Sequence, residues 1–313
     1  MDIDTRLLMK SGYRLTKDKN LTAARIRLPG GDLKANFLSQ IKDVAQRYGR
    51  GVIHLSSRQS IEIPFIDIEK VEEVKQELAG MIYEIESISG AVLEAPEKGY
   101  RAVGSRNISA CIGNRVCRYA SFDTTSLAQA LEKRFFENDY HLKIAITGCP
   151  NDCAKVWVQD IGIIGLTVPK HEAGRCIGCE ACFKRCKTFC FGSIKMQDRL
   201  PVRDAKTCVY CGECILSCPT MAWSRQGVMY KIVIGGRTGK KEVRLARPFL
   251  DFVSDIGVIF KLIENTFKFI DRYIDRSLKK EHLGYIIDRE GFSRYGNFVL
   301  KDVSLNKEAT VYN

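Results

Sequence analysis

The cysteines constrain this chain most, because twelve of the thirteen stand at intervals that suit metal binding. Eight form two runs with the spacing Cys-x2-Cys-x2-Cys-x3-Cys, and the second run repeats the first at an offset of 32 residues. That spacing is typical of bacterial proteins with two 4Fe–4S clusters, in which the fourth cysteine of each run ligates the other cluster. One predicted cluster takes Cys176, Cys179, Cys182 and Cys218, and the other takes Cys208, Cys211, Cys214 and Cys186.

Four further cysteines lie upstream in two pairs, Cys111 with Cys117 and Cys149 with Cys153. Four thiolates are what one cubane cluster requires, so these pairs predict a third 4Fe–4S cluster. A structural zinc site is the alternative, but zinc favours closely paired ligands such as Cys-x2-Cys, which the x5 and x3 intervals do not provide. Metal ligation rather than disulfide bonding also indicates a reducing, intracellular setting.

Cys190 is the one cysteine that these three sets leave over. The 32-residue offset aligns it with Ala222, a small apolar position. A buried thiol that fills an alanine-sized site is therefore the interpretation favoured over a competing ligand. The two runs also differ in that Lys187 stands where Pro219 follows the second run.

Composition and charge narrow the class of protein further. The 313 residues carry 49 basic and 37 acidic side chains, an excess of 12 positive charges. No nucleic-acid motif accompanies this excess, so basic residues lining an anion site are the preferred explanation. The longest apolar region, 249–274, is interrupted by charged residues and is no bilayer-spanning segment. We therefore expect a soluble, cytoplasmic protein with no membrane span and no nucleic-acid partner.

Hydrophobic periodicity predicts the secondary structure. The N-terminal part reads as a small α+β layer unit, with strands at 23–28, 52–55 and 61–65, a helix at 37–48 ending at Gly49, and a second helix from 68 to 82. Further on we expect a helix at 127–136, strands at 142–146 and 161–166, a linker at 169–174, a cysteine-rich insertion at 175–226 and a strand at 230–234. From residue 248 onward, apolar residues at helical spacing predict a helical tail.

The motifs around the upstream cysteines resemble those of the sulfite and nitrite reductase family, whose siroheme sits on a 4Fe–4S cluster. The resemblance covers nearly the whole chain and is carried by the two cysteine pairs, Asp160–Gly165, Ser57-Arg-Gln59, Arg106-Asn107 and Arg25–Gly31. It implies an α+β, siroheme sulfite reductase-like fold with an inserted two-cluster bacterial ferredoxin domain. The implied domains are a ferredoxin-like α/β unit over 1–95, an α/β siroheme and 4Fe–4S domain over 96–168 and 228–313, and the insertion over 169–227.

The resemblance also implies an anion site. The family holds its substrate with two arginines and two lysines, and by motif position Arg58 and Arg106 are the arginines. Guanidinium groups suit an oxyanion because they stay charged and bind it with two parallel hydrogen bonds. Lys143 matches the second lysine, while His141 replaces the first. His141 is either a proton donor with a charge change near neutral pH or only a polar residue at a strand edge.

The same resemblance assigns residues to the cofactor. Cys153 is the implied bridge between the cluster and the siroheme iron. Arg25 and Arg27, two residues apart on one strand face, would bind siroheme carboxylates unless they are ordinary surface charges. Asn107 of the Arg-Asn motif is a further candidate. Arg237 follows a Gly-Gly turn whose surrounding residues fail the pattern of a phosphate loop. Because the family has a Gly-Gly turn near its cofactor at this place, the resemblance implies a siroheme contact for Arg237.

The implied function is that of a sulfite reductase catalytic subunit, which reduces sulfite to sulfide with six electrons. Because no flavin or nicotinamide fingerprint occurs, electrons must come from another protein. The resemblance implies donor subunits that carry flavin and further iron–sulfur clusters. They would enter through the two ferredoxin-type clusters and pass to the upstream cluster. Nitrite reduction to ammonia and a siroheme-free electron-transfer subunit are the alternatives. Larger family members hold two copies of this unit, so either a homodimer shares its sites or one chain builds a complete site.

Overall fold

The computed structural model describes Leu8 and residues 11–88, 90, 107–135, 142–239, 243–278 and 281–312. The chain forms two compact units, each assembled from three segments. The first unit comprises Met1–Ala110, Thr125–Ile144 and Asp275–Leu283. The second comprises Cys111–Thr124, Ala145–Ile274 and Gly284–Asn313. The division of the chain into three domains made from the sequence stays a prediction.

The first unit is built on a four-stranded antiparallel sheet in the order β1-β2-β4-β3. Its described elements, in chain order, are β1 (Tyr13–Leu15), β2 (Leu21–Ile26), α1 (Phe37–Tyr48), β3 (His54–Leu55), β4 (Ile61–Asp67), α2 (Val71–Ile88), β5 (Ser109–Ala110) and α3 (Thr124–Phe135). Apolar side chains of α1, α2 and the sheet share one core, in which Ile41, Val44 and Ile63 are fully buried.

Helix α1 shows why the sequence forms this unit. Phe37, Ile41 and Val44 recur at helical spacing and are buried, which turns one face of the helix towards the core. The helix ends at Gly49, whose backbone N–H donates to the Ala45 carbonyl oxygen over 2.9 Å. A Cβ at Gly49 would stand 2.5 Å from the Ile63 side chain, so glycine permits this close approach. The predicted bounds of this helix are confirmed.

The second unit contains a sheet whose strands run β12-β11-β10-β7-β6. Its elements are β6 (Ile144–Thr147), β7 (Ile161–His171), α4 (Ala181–Phe189), β8 (Ile194–Gln197), β9 (Leu200–Arg203), α5 (Glu213–Leu216), β10 (Trp223–Ile234), β11 (Arg247–Val253), α6 (Ile256–Tyr273), α7 (Leu283–Glu290), α8 (Phe292–Val299) and β12 (Thr310–Val311). Strands β7 and β10 pair antiparallel along most of their length, as far as His171 and Trp223. The cysteine-rich segment connects these two strand ends.

Two expectations from the periodicity are wrong. Residues 169–171 are not a linker, because Pro169 and His171 continue β7 and pair with Arg225 and Trp223 of β10. Similarly, the helical tail does not begin at 248, since Phe249 and Val253 belong to β11. Residues four apart also lie on the same face of a strand, so the spacing of Phe249 and Val253 does not distinguish a strand from a helix. The helix starts only after Asp255, whose side chain accepts a hydrogen bond from the Gly257 N–H.

Aromatic side chains of β11, α6 and α8 pack together in the core of the second unit. Tyr295 of α8 is fully buried, and its ring lies 5.5 Å from that of Phe249 and 5.1 Å from that of Phe269. Its hydroxyl lies 2.8 Å from Thr266 Oγ1, which satisfies both groups inside the core. Across the described ranges, no helix combines the length and the apolar character that a membrane crossing requires.

Candidate functional site

The four upstream cysteines come together at one end of strand β6. Cys111 follows β5, and its N–H donates to the Ile146 carbonyl oxygen over 3.0 Å. Cys149 lies two residues beyond the end of β6 and is buried. Burial, together with the nearby thiols of Cys117, Cys111 and Cys153, raises the pKa of the Cys149 thiol to about 11. Because the other three thiols all affect the Cys149 thiol, the four cysteines lie close to one another, as the ligands of one shared cluster must.

Close backbone packing holds the two cysteine loops against each other. Ser121 N–H donates to the Gly148 carbonyl oxygen over 2.7 Å, and Gly148 N–H donates to Cys111 Sγ over 3.2 Å. A Cβ on Gly148 would collide with Ala120, and one on Gly165 would collide with Ser121 and the Gly148 carbonyl oxygen. Glycine at these positions therefore allows the strand ends to bring Cys111 and Cys149 together.

Cys153 differs from the other three because its side chain is exposed. It follows a tight turn in which Asp152 adopts a left-handed φ of 51° and its carboxylate accepts from the Val156 N–H at 2.8 Å. Asn151 Nδ2 lies 3.5 Å from Cys153 Sγ. An accessible sulfur is what a bridge to a second group needs, so the predicted bridging role is compatible with this position and stays a prediction.

The donor set fits an iron–sulfur cluster chemically. It consists of four thiols and one backbone N–H directed at a sulfur, the kind of hydrogen bond that tunes such clusters. Within the described ranges, no three His, Cys, Asp or Glu side chains are arranged to hold a single metal ion. The four sulfurs of a tetrahedral zinc site lie only about 4 Å apart. A cubane is larger than one ion, so four cysteines that are too far apart for a single ion are still compatible with a cubane.

Three cysteines of the repeat lie in a small core of the cysteine-rich segment between β7 and β10. Cys182 and Cys186 on α4 and Cys214 on α5 are buried with Ile194 and Trp223 in one small core. Burial raises the pKa of the Cys214 thiol to about 12, with Cys211 and Cys208 contributing as neighbours. Cys218 is likewise a neighbour of Cys182. These proximities support the sorting of ligands between two clusters made from the sequence, which stays a prediction.

Cys190 lies beside this core at the end of α4. It is half-buried, and its Sγ lies 3.2 Å from Cys211 Sγ. Its N–H donates to the Cys186 carbonyl oxygen over 3.0 Å. Burial is the main cause that raises the pKa of the Cys190 thiol well above its usual range. The sequence placed Cys190 at a packing position but gave no sign of its contact with a predicted ligand.

Arg58, the predicted anion ligand, lies in the turn between β3 and β4. The turn is closed by Ser56, whose N–H donates to the Ser60 carbonyl oxygen over 2.8 Å. Arg58 Nη2 donates to the Asn107 carbonyl oxygen over 2.5 Å. The Asn107 amide in return donates to the Arg58 and Gln59 carbonyl oxygens, each over 3.2 Å, and to Ser60 Oγ over 2.9 Å. Asn107 therefore holds the turn that carries Arg58.

Gln59 makes a second reciprocal connection in the same turn. Its Nε2 donates to the Ala110 carbonyl oxygen over 2.6 Å, and the Ala110 N–H donates to Gln59 Oε1 over 2.8 Å. Gln59 has a left-handed φ of 60°, which this pair of hydrogen bonds holds in place. Asn107 Oδ1 is buried and accepts no hydrogen bond from the described residues.

The two arginines of strand β2 have carboxylate partners. Arg25 Nε and Nη2 donate to Glu62 Oε1 over 2.9 and 2.8 Å, and Arg14 contacts the same oxygen. Arg27 is only 3% exposed and lies 3.2 Å from Glu86 Oε1 and 2.7 Å from Glu132 Oε2. Both guanidinium groups therefore have carboxylate partners within the protein. A siroheme contact for either arginine stays a prediction, and burial weighs against it for Arg27.

Burial also governs the carboxylates around Arg27. It raises the pKa of both Glu86 and Glu132, while the charge of Arg27 opposes the rise. Glu132 additionally accepts from the Ile108 N–H over 2.7 Å, one residue after Asn107. The sequence gave no signal for these glutamates, because each lies at least 37 residues from its arginine and no periodicity joins them.

The remaining predicted residues divide by whether the structure describes them. Lys143 lies directly before β6 and is half-buried. Arg106 and His141 lie outside the described residues. Arg237 is 3% exposed, with its guanidinium carbon 3.3 Å from the centre of the Tyr285 ring and Nη1 3.8 Å from Asp288 Oδ2. Their roles stay predictions.

The chain matches two known domain families. Residues 102–307 match the nitrite and sulphite reductase 4Fe-4S domain, and residues 14–81 match the nitrite/sulfite reductase ferredoxin-like half domain. The chain is 41% identical, over 99% of its length, to a subunit of the anaerobic sulfite reductase of Salmonella typhimurium, of which 93% is covered. It is 31% identical, over 85% of its length, to the coenzyme F420-dependent sulfite reductase of Methanocaldococcus jannaschii, of which 40% is covered.

Solved structures show the same architecture. The crystal structure of dissimilatory sulfite reductase I superimposes with a TM-score of 0.69 at 18% identity, covering 94% of this chain and 72% of that one. NirA of Mycobacterium tuberculosis superimposes with a TM-score of 0.58 at 15% identity, covering 90% of this chain and 40% of that one. The predicted mixed α/β fold is confirmed by these likenesses.

Proposed function

Because the chain belongs to the nitrite and sulfite reductase family, we propose that it is the catalytic subunit of a sulfite reductase. The proposed reaction is the six-electron reduction of sulfite to sulfide. The observation that carries the proposal is the convergence of Cys111, Cys117, Cys149 and Cys153 at the end of β6. The sulfite reductase relatives support the choice of substrate.

The four converging cysteines would hold a 4Fe–4S cluster, with the exposed Cys153 also reaching the siroheme iron. When bound, siroheme coupled to this cluster supplies an open iron position and the electrons for the reduction. The protein contributes ligand sulfurs at fixed positions, since Gly148 and Gly165 allow the loops to pack closely. It also contributes the Gly148 N–H, which donates to Cys111 Sγ and would stabilise negative charge there.

The cationic side chains would hold the substrate. Arg58 supplies a guanidinium group that binds two oxygens of sulfite, and Asn107 fixes the turn that presents it. Lys143 and Arg106 add positive charge, and Lys143 with His141 would deliver protons as oxygen leaves. Because arginine stays charged across the physiological pH range, the charge that Arg58 offers the anion is independent of pH, and proton delivery is not.

The inserted segment would hold two further 4Fe–4S clusters and receive electrons from donor subunits. Its core of cysteines supports this assignment. The proposed partners are sulfite and donor subunits that carry flavin and iron–sulfur clusters, and the proposed compartment is the cytoplasm. A homodimer with shared sites is tested by mixing Cys153→Ser and Arg58→Ala chains. Activity returns in the mixture only if two chains build one site.

Turnover with a low-potential electron donor tests the proposal. We expect the purified protein to reduce sulfite and the Cys153→Ser variant to lose this activity by at least about 1,000-fold. Val116→Ser is the control, because the Val116 side chain is 71% exposed beside Cys117 and carries no metal-binding group. Higher kcat/KM with nitrite would make the chain a nitrite reductase. No turnover with either anion would make it an electron-transfer subunit.

A further inference from the structure

Cys190, the cysteine outside the three predicted ligand sets, makes the two halves of the repeat unequal. Cys190 Sγ lies 3.2 Å from Sγ of Cys211, within hydrogen-bond distance for sulfur. The position is defined by the helix end, because the Cys190 N–H donates to the Cys186 carbonyl oxygen. At the matching position of the other half stands Ala222, which is 1% exposed. A methyl group cannot donate a hydrogen bond, so only one half of the repeat has this contact.

We propose that the Cys190 thiol donates a hydrogen bond to the Cys211 ligand sulfur and raises the reduction potential of that cluster. The inference rests on the proposed function, in which Cys211 ligates one of two clusters in the insertion. A ligating cysteine is a thiolate and has no hydrogen to give, so Cys190 is the donor. A hydrogen bond to a ligand sulfur stabilises the more negative, reduced state of the cluster and shifts its potential upward.

The consequence is an order between the two clusters of the insertion. The cluster of Cys208, Cys211, Cys214 and Cys186 has the thiol neighbour and holds an electron more strongly. The cluster of Cys176, Cys179, Cys182 and Cys218 has the Ala222 methyl group in its place. When the insertion holds one electron, that electron is therefore located mainly on the cluster that Cys211 ligates, although the cysteines of the two runs have the same spacing.

Cys190→Ala tests this directly, because it installs the residue that the other half of the repeat uses. Redox titration of the full chain, followed by electron paramagnetic resonance, resolves the one-electron reduction of each cluster. We expect one cluster to become about tenfold harder to reduce, a shift of ~59 mV to more negative potential. Cys190→Ser keeps a donor and shifts that potential less. Ala222→Cys gives the other cluster a thiol and shifts its potential upward.

Iron analysis separates the possible failures. Unchanged potentials in Cys190→Ala and in Ala222→Cys, at full iron content, overturn the proposal and leave the cluster assignment intact. Loss of about four irons from Cys190→Ala also overturns it, because Cys190 would then be a ligand. A wild-type chain that lacks the iron of two cubanes in the insertion contradicts the proposed function itself.

Discussion

The turn that carries Arg58 and the cysteine-rich insertion are stabilised in opposite ways. The turn is held by protein groups alone, through the hydrogen bonds of Asn107 and Gln59 to backbone atoms. The core of the insertion consists of three cysteines with Ile194 and Trp223. Such a small core buries little apolar surface, so the proposed metal ligation would supply much of its stability. Under the proposed function, the anion site would therefore be formed before any cofactor binds, whereas the cysteine-rich segment would need its clusters in order to fold.

Iron removal should separate the two regions most strongly. We expect amide exchange in α4 and α5 to become at least roughly tenfold faster after anaerobic chelation, because their core loses its metal ligation. Exchange in the turn at 56–60 and in β4 should stay unchanged, which makes the turn the internal control. Equal acceleration in both regions would show that the turn also depends on the clusters.

Arg58→Ala should have the next largest effect. Loss of the guanidinium group should lower kcat/KM for sulfite by about 100-fold, since a charge-assisted contact to the anion is removed. Iron content and the absorption bands of siroheme should not change. Arg47→Ala is the control, because Arg47 pairs with Glu77 on the surface of the same unit. Unaltered sulfite turnover in Arg58→Ala would exclude Arg58 from the anion site.

Asn107→Ala tests how the turn is held. Removing the amide breaks its hydrogen bonds to Arg58, Gln59 and Ser60 and leaves buried acceptors unsatisfied, which should cost about 2 kcal/mol of stability. Because Arg58 is then less well placed, we expect kcat/KM for sulfite to fall by about tenfold. The exposed Asn36→Ala should change neither. A loss of stability without a loss of kcat/KM would mean that Arg58 does not depend on this turn.

The smallest expected effect concerns the buried carboxylates around Arg27. Burial raises the pKa of Glu86 and Glu132, so the folded chain holds protons that the unfolded chain releases above the usual carboxyl pKa. Stability therefore falls as pH rises through the window between the unfolded and folded values. Glu86→Gln should weaken this dependence, seen as a smaller drop in melting temperature between about pH 5 and about pH 7. The exposed Glu84→Gln should behave as wild type.

The sequence predicts these regions unequally, and for a physical reason. Local patterns specify α1 and the cysteine sets, because the spacing of Phe37, Ile41 and Val44, or of Cys176 and Cys179, is itself the structural requirement. Contacts between distant residues leave no such pattern, so Glu132 beside Arg27 was not foreseen. The prediction from periodicity was also wrong at Phe249, because residues four apart lie on one face both in a strand and in a helix.

In the proposed function, the upstream cysteines hold a cluster coupled to siroheme while the cysteine-rich segment holds two more. Absorption spectroscopy and iron analysis of the anaerobically purified chain test it together. We expect the chlorin-type bands of siroheme and about thirteen irons per chain, twelve in three cubanes and one in siroheme. About twelve irons without those bands would contradict it and leave a protein that only transfers electrons.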